Sequence, residues 1–239
     1  MRNWTTAALL VIVLSLASGH AFAHGVWVSK RCDKYCVGYG EGSSDNAYPP
    51  AKVEKVAGYD AKHQAAEVKV LPLEDHVRLE PAGNVSVISV FFNNGYWSRN
   101  AEGKWGNKPM NEVPGAESGN LTLKNNVAYL DAEAAPLVVE DFALQIVPSI
   151  NPAGLRMGDS LEVTVLRDGK PLAGAPVIVD IVNDLENTVE TDADGKAVVT
   201  VRNGALNIIG VEMDFPAAGD DGKATHEAYF TTISFVAAK

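Results

Sequence analysis

Short β-branched segments separated by turn residues limit the folds that this 239-residue chain can adopt. Residues 85–92 are rich in valine, isoleucine and phenylalanine, which is typical of a central strand. Residues 161–166 alternate apolar and polar side chains, and both segments run into turn residues. Similar segments recur about every 8–12 residues, and none shows a helical period. The sequence therefore predicts an all-β protein.

The chain divides into two predicted units. Residues 132–139 contain Pro136 and lack strand alternation, so they read as a linker or crossover. We predict two antiparallel β-sandwich-like units, residues 24–138 and 139–239.

A long aromatic loop is predicted within the first unit, at residues 93–126. Asparagine, glycine and proline punctuate this stretch around Trp97 and Trp105. Loops of this length are usually functional or partly disordered, so the two tryptophans are candidates for lining a pocket.

The chain opens with the pattern of an export signal peptide. Arg2 supplies a positive charge, a short apolar core follows, and Ala21 and Ala23 form the A-x-A pattern that signal peptidase reads. We expect residues 1–23 to be removed during export to the periplasm. His24 would then be the first residue of the mature chain.

A histidine at a free N-terminus is a metal chelator. The α-amine and the imidazole of His24 both lose a proton at modest cost near neutral pH, and together they close one chelate ring on Ni²⁺, Co²⁺ or Cu²⁺. Cleavage after Ala21 would instead place His24 third, behind an amine and two amides, which suits square-planar Cu²⁺ or Ni²⁺. Either cut leaves His24 as a predicted ligand.

The overall charge is acidic and favours cations as partners. The formal net charge is −10, and it becomes −11 once Arg2 is removed with the signal peptide. This charge argues against nucleic acid and anionic lipid as partners. Beyond the signal peptide no stretch approaches 18 unbroken apolar residues, so we expect no membrane span in the mature chain.

Cys32 and Cys36 are the only cysteines. An oxidising compartment favours a disulfide between them. A bridge needs Cα atoms within about 7 Å, so the intervening residues would have to form a tight turn. A thiolate pair near His24, which would favour a soft metal, and two unpaired thiols are the alternatives.

Further ligands must come from distant parts of the chain, because the remaining histidines show no metal-site spacing. His76 follows two acidic residues at the start of a predicted strand, and His63 lies in a predicted turn. His226 begins the last predicted strand. No hydrolase, zinc-protease, phosphate-loop or dinucleotide motif is present, so we predict a protein that is not an enzyme.

Several motifs resemble a known family. They are AHGVW, GYGEG, VFFNNGYW, GKWGN, VPGA and TDADGKA, with the run LQIVPSINPAGLRMGDSLEVTVLRDGKPLAGAPV. The chain resembles a bacterial domain-of-unknown-function family that is described as the periplasmic component of cobalt and nickel transport systems. Its second half is also similar to carboxypeptidase regulatory-like and transthyretin-like domains, an immunoglobulin-like β-sandwich shared by many functions.

This resemblance implies a periplasmic metal-binding protein that assists nickel or cobalt uptake by an inner-membrane transporter. The mature-terminal histidine of the family matches His24. Relatives carry a histidine in the turn where this chain has Glu41, so a carboxylate would replace an imidazole there. We expect His24 to bind the metal, with Glu41 and His76 or His63 completing the site.

Three rivals remain open. A periplasmic copper chaperone would suit an N-terminal histidine, since Cu²⁺ binds most tightly among these ions. A copper-dependent oxidase would use His24 and a second histidine as a brace, with Tyr39 or Tyr96 nearby. A structural sandwich pair would bind no metal.

Overall fold

A computed structural model of the chain describes residues 24–41, 44–219 and 221–239. The expected signal peptide lies outside the described residues. These residues form seventeen strands and three short 3-10 helices. The 3-10 helices are Pro50–Lys52, Met110–Glu112 and Pro152–Gly154. The strands are β1 (Gly25–Arg31), β2 (Lys34–Gly40), β3 (Val53–Tyr59), β4 (Ala65–Ala66), β5 (Val68–Pro72), β6 (Val77–Pro81), β7 (Val87–Arg99), β8 (Trp105–Gly106), β9 (Ser118–Tyr129), β10 (Leu144–Pro148), β11 (Ser160–Arg167), β12 (Lys170–Pro171), β13 (Pro176–Asp180), β14 (Asp184–Glu190), β15 (Lys196–Thr200), β16 (Leu206–Pro216) and β17 (His226–Val236).

Three sheets make up the fold. The central sheet has nine strands in the order β14-β13-β16-β17-β9-β7-β3-β4, with β8 added beside β7. A four-stranded sheet, which we call the N-terminal sheet, has the order β1-β2-β6-β5. The third sheet contains β10, β11 and β12, with β15 on the other side of β11.

The central sheet is covered on both faces. Val127 and Ala128 are neighbours on β9 and point to opposite sides, as successive strand residues must. Val127 packs in one core cluster with Val163 of β11. Ala128 packs in another with Val37 of β2. The N-terminal sheet and the third sheet therefore shield opposite faces of the same strands.

The prediction of an all-β, sandwich-like fold is confirmed. Strands from residues 24–138 and from residues 139–239 share the central sheet, where β9 and β17 pair in parallel and all other pairs are antiparallel. No helix in the described part of the chain is long and apolar enough to cross a membrane.

The long loop predicted at residues 93–126 is wrong in its extent, because strands occupy both of its ends. Strand β7 continues to Arg99 and β9 begins at Ser118. The asparagine–glycine signal is a bulge rather than a turn: the register against β9 shifts between Asn93 and Gly95, and Gly95 has a φ of 80°. A bulge lets a strand absorb residues that would otherwise end it.

The N-terminal sheet meets the central sheet through the open edge of β1. On its other side β1 pairs with β2. On the open side, the Val28 N–H donates to Asn126 Oδ1 at 3.0 Å, and Ser234 Oγ donates to the Val28 carbonyl at 3.0 Å. The Thr232 hydroxyl donates to the Val26 carbonyl and accepts from Asn126 Nδ2 at 2.9 Å. Side chains thus replace the missing neighbouring strand.

This edge contact fixes where β1 lies. Buried backbone groups without partners cost about 1–3 kcal/mol each, so β1 gains most when each edge group meets its side chain. Asn126 and Thr232 are buried on the central sheet. Any slip of β1 along β9 and β17 would leave these groups unpaired.

Replacement of Asn126 by alanine tests this contact. The substitution leaves the Val28 N–H buried without an acceptor, so we expect a loss of about 2–3 kcal/mol in the free energy of unfolding, measured by urea denaturation. Asn111→Ala, at an exposed position, should change stability by less than about 0.5 kcal/mol. A similar small change for both variants would contradict the edge contact.

Candidate functional site

The imidazole of His24 lies in an aromatic stack at the start of β1. Its ring centroid is 5.0 Å from that of Tyr39, with 21° between the planes. Tyr39 stacks in turn on Phe92 at 5.1 Å and 14°. Tyr48 stands edge-on to Tyr39 and Phe92, at 5.9 and 5.1 Å. The stack contacts the face of the imidazole, whereas the two ring nitrogens lie at the edge of that ring.

Glu41 is the residue opposite His24. The β1–β2 pairing ends at Gly25 and Gly40, so His24 and Glu41 are the next residues along the two chains. Residues opposite one another in antiparallel strands project to the same face. His24 and Glu41 therefore lie directly beyond the last paired residues at one end of the N-terminal sheet.

Two glycines explain the local shape of β2. A Cβ on Gly38 would lie 2.6 Å from Nε1 of Trp27, whose ring covers the strand there. A Cβ on Gly40 would lie 2.3 Å from the Ser44 carbonyl oxygen, because the chain folds back at once. The Ser44 hydroxyl closes this turn by donating to the Glu41 carbonyl at 2.6 Å. Residues 38–41 are thus the end of β2 and the residue that follows it, Glu41.

The tyrosines of the stack are neutral at physiological pH. Burial raises the pKa of Tyr39, the Glu41 carboxylate raises it further, and a hydrogen bond to Asn94 opposes both. Burial also raises the pKa of Tyr48, whose hydroxyl donates to the Val37 carbonyl at 2.8 Å. Both phenols therefore act as hydrogen-bond donors and as ring surfaces, not as anionic ligands.

Lys124 is a buried charge beside this stack. It is 1% exposed, and its Nζ has no hydrogen-bond partner in the described part of the chain. In the strand register it lies between Phe92 of β7 and Phe230 of β17, with Nζ 5.6 Å from the Phe230 ring centroid. Burial lowers the pKa of Lys124 to about 8; Glu212 opposes this shift and Lys52 adds to it.

A second lysine reaches the same region. Lys52 ends a 3-10 turn, and its Nζ donates to Asn94 Oδ1 at 2.6 Å. The Tyr39 hydroxyl donates to the same oxygen at 3.4 Å. Burial lowers the pKa of Lys52. The Tyr39 hydroxyl of the aromatic stack is therefore joined to the Lys52 amine through Asn94.

His76 and His63 contact other parts of the fold. Val77 faces the core of the N-terminal sheet, so alternation points His76 to the opposite face. There it lines a cleft with Cys36, and its Nδ1 is 2.7 Å from Asp75 Oδ1. His63 Nε2 is 2.9 Å from the Ala135 carbonyl. Of the predicted partners, Glu41 is the one that directly follows the strand paired with β1.

Cys32 and Cys36 are free thiols in this structure. Cys32 is exposed in a tight turn, with φ of 46°, whereas Cys36 is buried and pairs with Ser29 in β1. Burial raises the pKa of Cys36. Because β2 is already extended from Lys34 onward, at ~3.3 Å per residue, a bridge would need local rearrangement. Oxidation of the pair stays a prediction.

No group of three or more histidine, cysteine, aspartate or glutamate side chains is arranged as a metal site in the described part of the chain. The donors that the fold supplies near His24 are therefore few. Sequence reasoning missed the two lysines and Asn94. The one feature of the sequence that could have indicated them is Lys124 within the strand-forming residues 121–129. A lysine that alternates with apolar residues in a strand is normally taken to face solvent.

Replacement of Lys124 by methionine tests the cost of its burial. The folded protein loses this proton near pH 8, whereas the unfolded chain keeps it to about pH 10.4. Stability of the parent should therefore rise with pH across this window. We expect Lys124→Met to be more stable by about 1–3 kcal/mol at pH 7, with the difference shrinking from pH 8 to pH 10.4.

The control for this comparison is Lys34→Met, at an exposed position. Urea denaturation of the three proteins at several pH values gives the difference directly, since the other titrating groups cancel. A difference that stays constant between pH 7 and pH 10 would contradict the low pKa of Lys124.

Comparison with known proteins identifies the family but no activity. The chain is 26% identical over 159 residues to an uncharacterized protein of Haemophilus influenzae, an alignment that covers 66% of this chain and 67% of the relative. Residues 21–214 match the family described as Domain of unknown function (DUF4198). Because this match spans most of the sequence and includes both His24 and Glu41, the chain belongs to the DUF4198 family.

Proposed function

We propose that the protein is an exported, non-catalytic binding protein for a divalent transition-metal ion, nickel or cobalt first. It works in the periplasm and passes the ion to an inner-membrane transporter. The observation that supports this proposal best is that His24 and Glu41 both lie directly beyond the last residues of the β1–β2 pairing. The ion is cargo, so the protein needs no catalytic group.

The donors suit this role. An imidazole nitrogen and a carboxylate oxygen are ligands for Ni²⁺ and Co²⁺, and removal of the signal peptide would add the α-amine of His24. The stack on Tyr39 restricts the imidazole before the ion arrives, which lowers the entropic cost of binding. A site with few protein donors leaves coordination positions for exchangeable ligands, as delivery to a second protein requires.

The charge of the protein supports the same cargo. The formal net charge of −10 raises the local concentration of cations around the chain. Glu41 is partly exposed, so an ion can approach it from solvent.

Copper binding is the second candidate. The same donors bind Cu²⁺ more tightly than Ni²⁺ or Co²⁺, and Tyr39 lies directly against the His24 ring. A copper chaperone would bind Cu²⁺ without turnover, whereas a copper oxidase would consume oxygen in the presence of ascorbate. Oxygen-electrode measurements on copper-loaded protein separate these two roles.

The N-terminus provides the first test. We expect protein that begins at His24 to bind Ni²⁺ at least tenfold more tightly than protein with one extra residue before His24. The extension blocks the chelate ring, and a tenfold change corresponds to about 1.4 kcal/mol. Isothermal titration calorimetry on the two proteins makes the measurement. Equal affinities would contradict an N-terminal metal site.

The second ligand provides another test. Glu41→Gln keeps the size of the side chain and removes its charge, so we expect Ni²⁺ affinity to fall about tenfold or more. His76→Ala and His63→Ala are the matched controls, because His76 lines a cleft with Cys36 and His63 contacts the Ala135 carbonyl. A larger loss of Ni²⁺ affinity for His76→Ala than for Glu41→Gln would identify His76, and not Glu41, as the second ligand.

A further inference from the structure

Lys124 occupies a position that packing does not explain. On β17, Ser234 bonds to the Val28 carbonyl. Thr232, two residues earlier, bonds to the carbonyl of Val26, which is two residues before Val28 on β1. On β9, Asn126 serves the same contact. The next position of this row on β9 is Lys124. Its ammonium group continues a line of polar side chains but has no hydrogen-bond partner among the described residues.

The polar groups around Lys124 are mostly donors. Lys52 lies close enough to lower the pKa of Lys124, and its own Nζ bonds to Asn94 Oδ1. That oxygen also accepts from the Tyr39 hydroxyl, so it is already shared by two donors. Glu212 attracts Lys124 from the far side of Phe230. Apart from this attraction, the Lys124 ammonium has no hydrogen-bond acceptor among the described residues.

These lysines also adjoin the proposed metal site. Tyr39 connects them, since its ring stacks on His24 while its hydroxyl bonds to Asn94. Phe92 carries Tyr39 on one side and pairs with Lys124 in register. Two ammonium groups near the ion would repel a bare dication. An anion bound between them would remove the repulsion and satisfy the unpaired donors.

We propose that Lys124, Lys52 and Asn94 form a subsite for a carboxylate group, and that the metal ion enters as a complex with a small di- or tricarboxylate chelator. This inference rests on the proposed function for the metal and adds the anion. One carboxylate of the chelator pairs with the two ammonium groups, and the remaining oxygens stay on the ion at His24 and Glu41. Charge-assisted hydrogen bonds of this kind are among the strongest available to a protein.

A carboxylate fits these groups better than a bare halide or water. Its two oxygens accept from two separate amines at once, while Nδ2 of Asn94 offers a further donor. Lys52 is only partly buried, so it provides the approach from solvent to the deeply buried Lys124. A chelator with several carboxylates also fills the coordination positions that His24 and Glu41 leave open.

Calorimetry with three titrants tests the subsite. Protein that begins at His24 is titrated with Ni²⁺, with citrate, and with the 1:1 nickel–citrate complex. We expect Lys124→Met and Lys52→Met to bind nickel–citrate at least tenfold more weakly than the parent. Their affinity for Ni²⁺ alone should be unchanged or higher, because a positive charge is removed. Lys55→Met is the matched control: this exposed lysine pairs with Asp141, so all three affinities should match the parent.

The outcomes separate the anion subsite from the metal site. If both lysine variants bind nickel–citrate within twofold of the parent, the carboxylate subsite is wrong even where Ni²⁺ binding is intact. If Ni²⁺ alone does not bind but citrate binds in a manner that requires Lys124, the metal site fails and the anion subsite stands. Equal binding of inorganic phosphate and citrate would overturn the assignment to a carboxylate. Thermal unfolding of each variant confirms that it is folded.

Discussion

The open edge of β1 is the contact on which the arrangement depends. A strand at the edge of a sheet normally exposes unpaired backbone groups or recruits another strand. Here Asn126, Thr232 and Ser234 supply those hydrogen bonds from the face of a second sheet. The contact sets the position of β1 along β9 and β17. Because His24 immediately precedes β1, the same contact determines which residues surround its imidazole.

Local sequence was sufficient for the strands, since the β-branched runs predicted an all-β fold. Glu41 was predicted as a partner for His24 only through the family resemblance, and that role stays a prediction. The parallel pairing of β9 with β17 could not be predicted from local sequence, because its partners, such as Asn126 and Thr232, are 106 residues apart. Periodicity describes a strand but does not name its neighbour. The bulge at Gly95 was misread for a similar reason, since a bulge and a turn use the same residues.

The lysine subsite escaped prediction because the fold has three layers. Thr122 and Lys124 alternate with Leu121 and Leu123 along β9, which in a two-layer sandwich is the pattern of a solvent-exposed face. The N-terminal sheet covers that face and buries the Thr122 and Lys124 side chains. A polar face beneath a further layer cannot be told from an exposed one until the position of that layer is known.

Asn126 and Lys124 lie two residues apart on the same buried face of β9. Fold stability explains the first side chain but not the second. The side-chain hydrogen bonds of Asn126 serve the docking of β1 or the contact with β17, so stability alone accounts for this residue. Lys124 makes no such bond and bears a charge that burial disfavours. Buried groups that weaken the fold concentrate where a protein binds or reacts. Methionine would fill the same space between Phe92 and Phe230 without that cost, so a requirement other than packing selects the amine at this position.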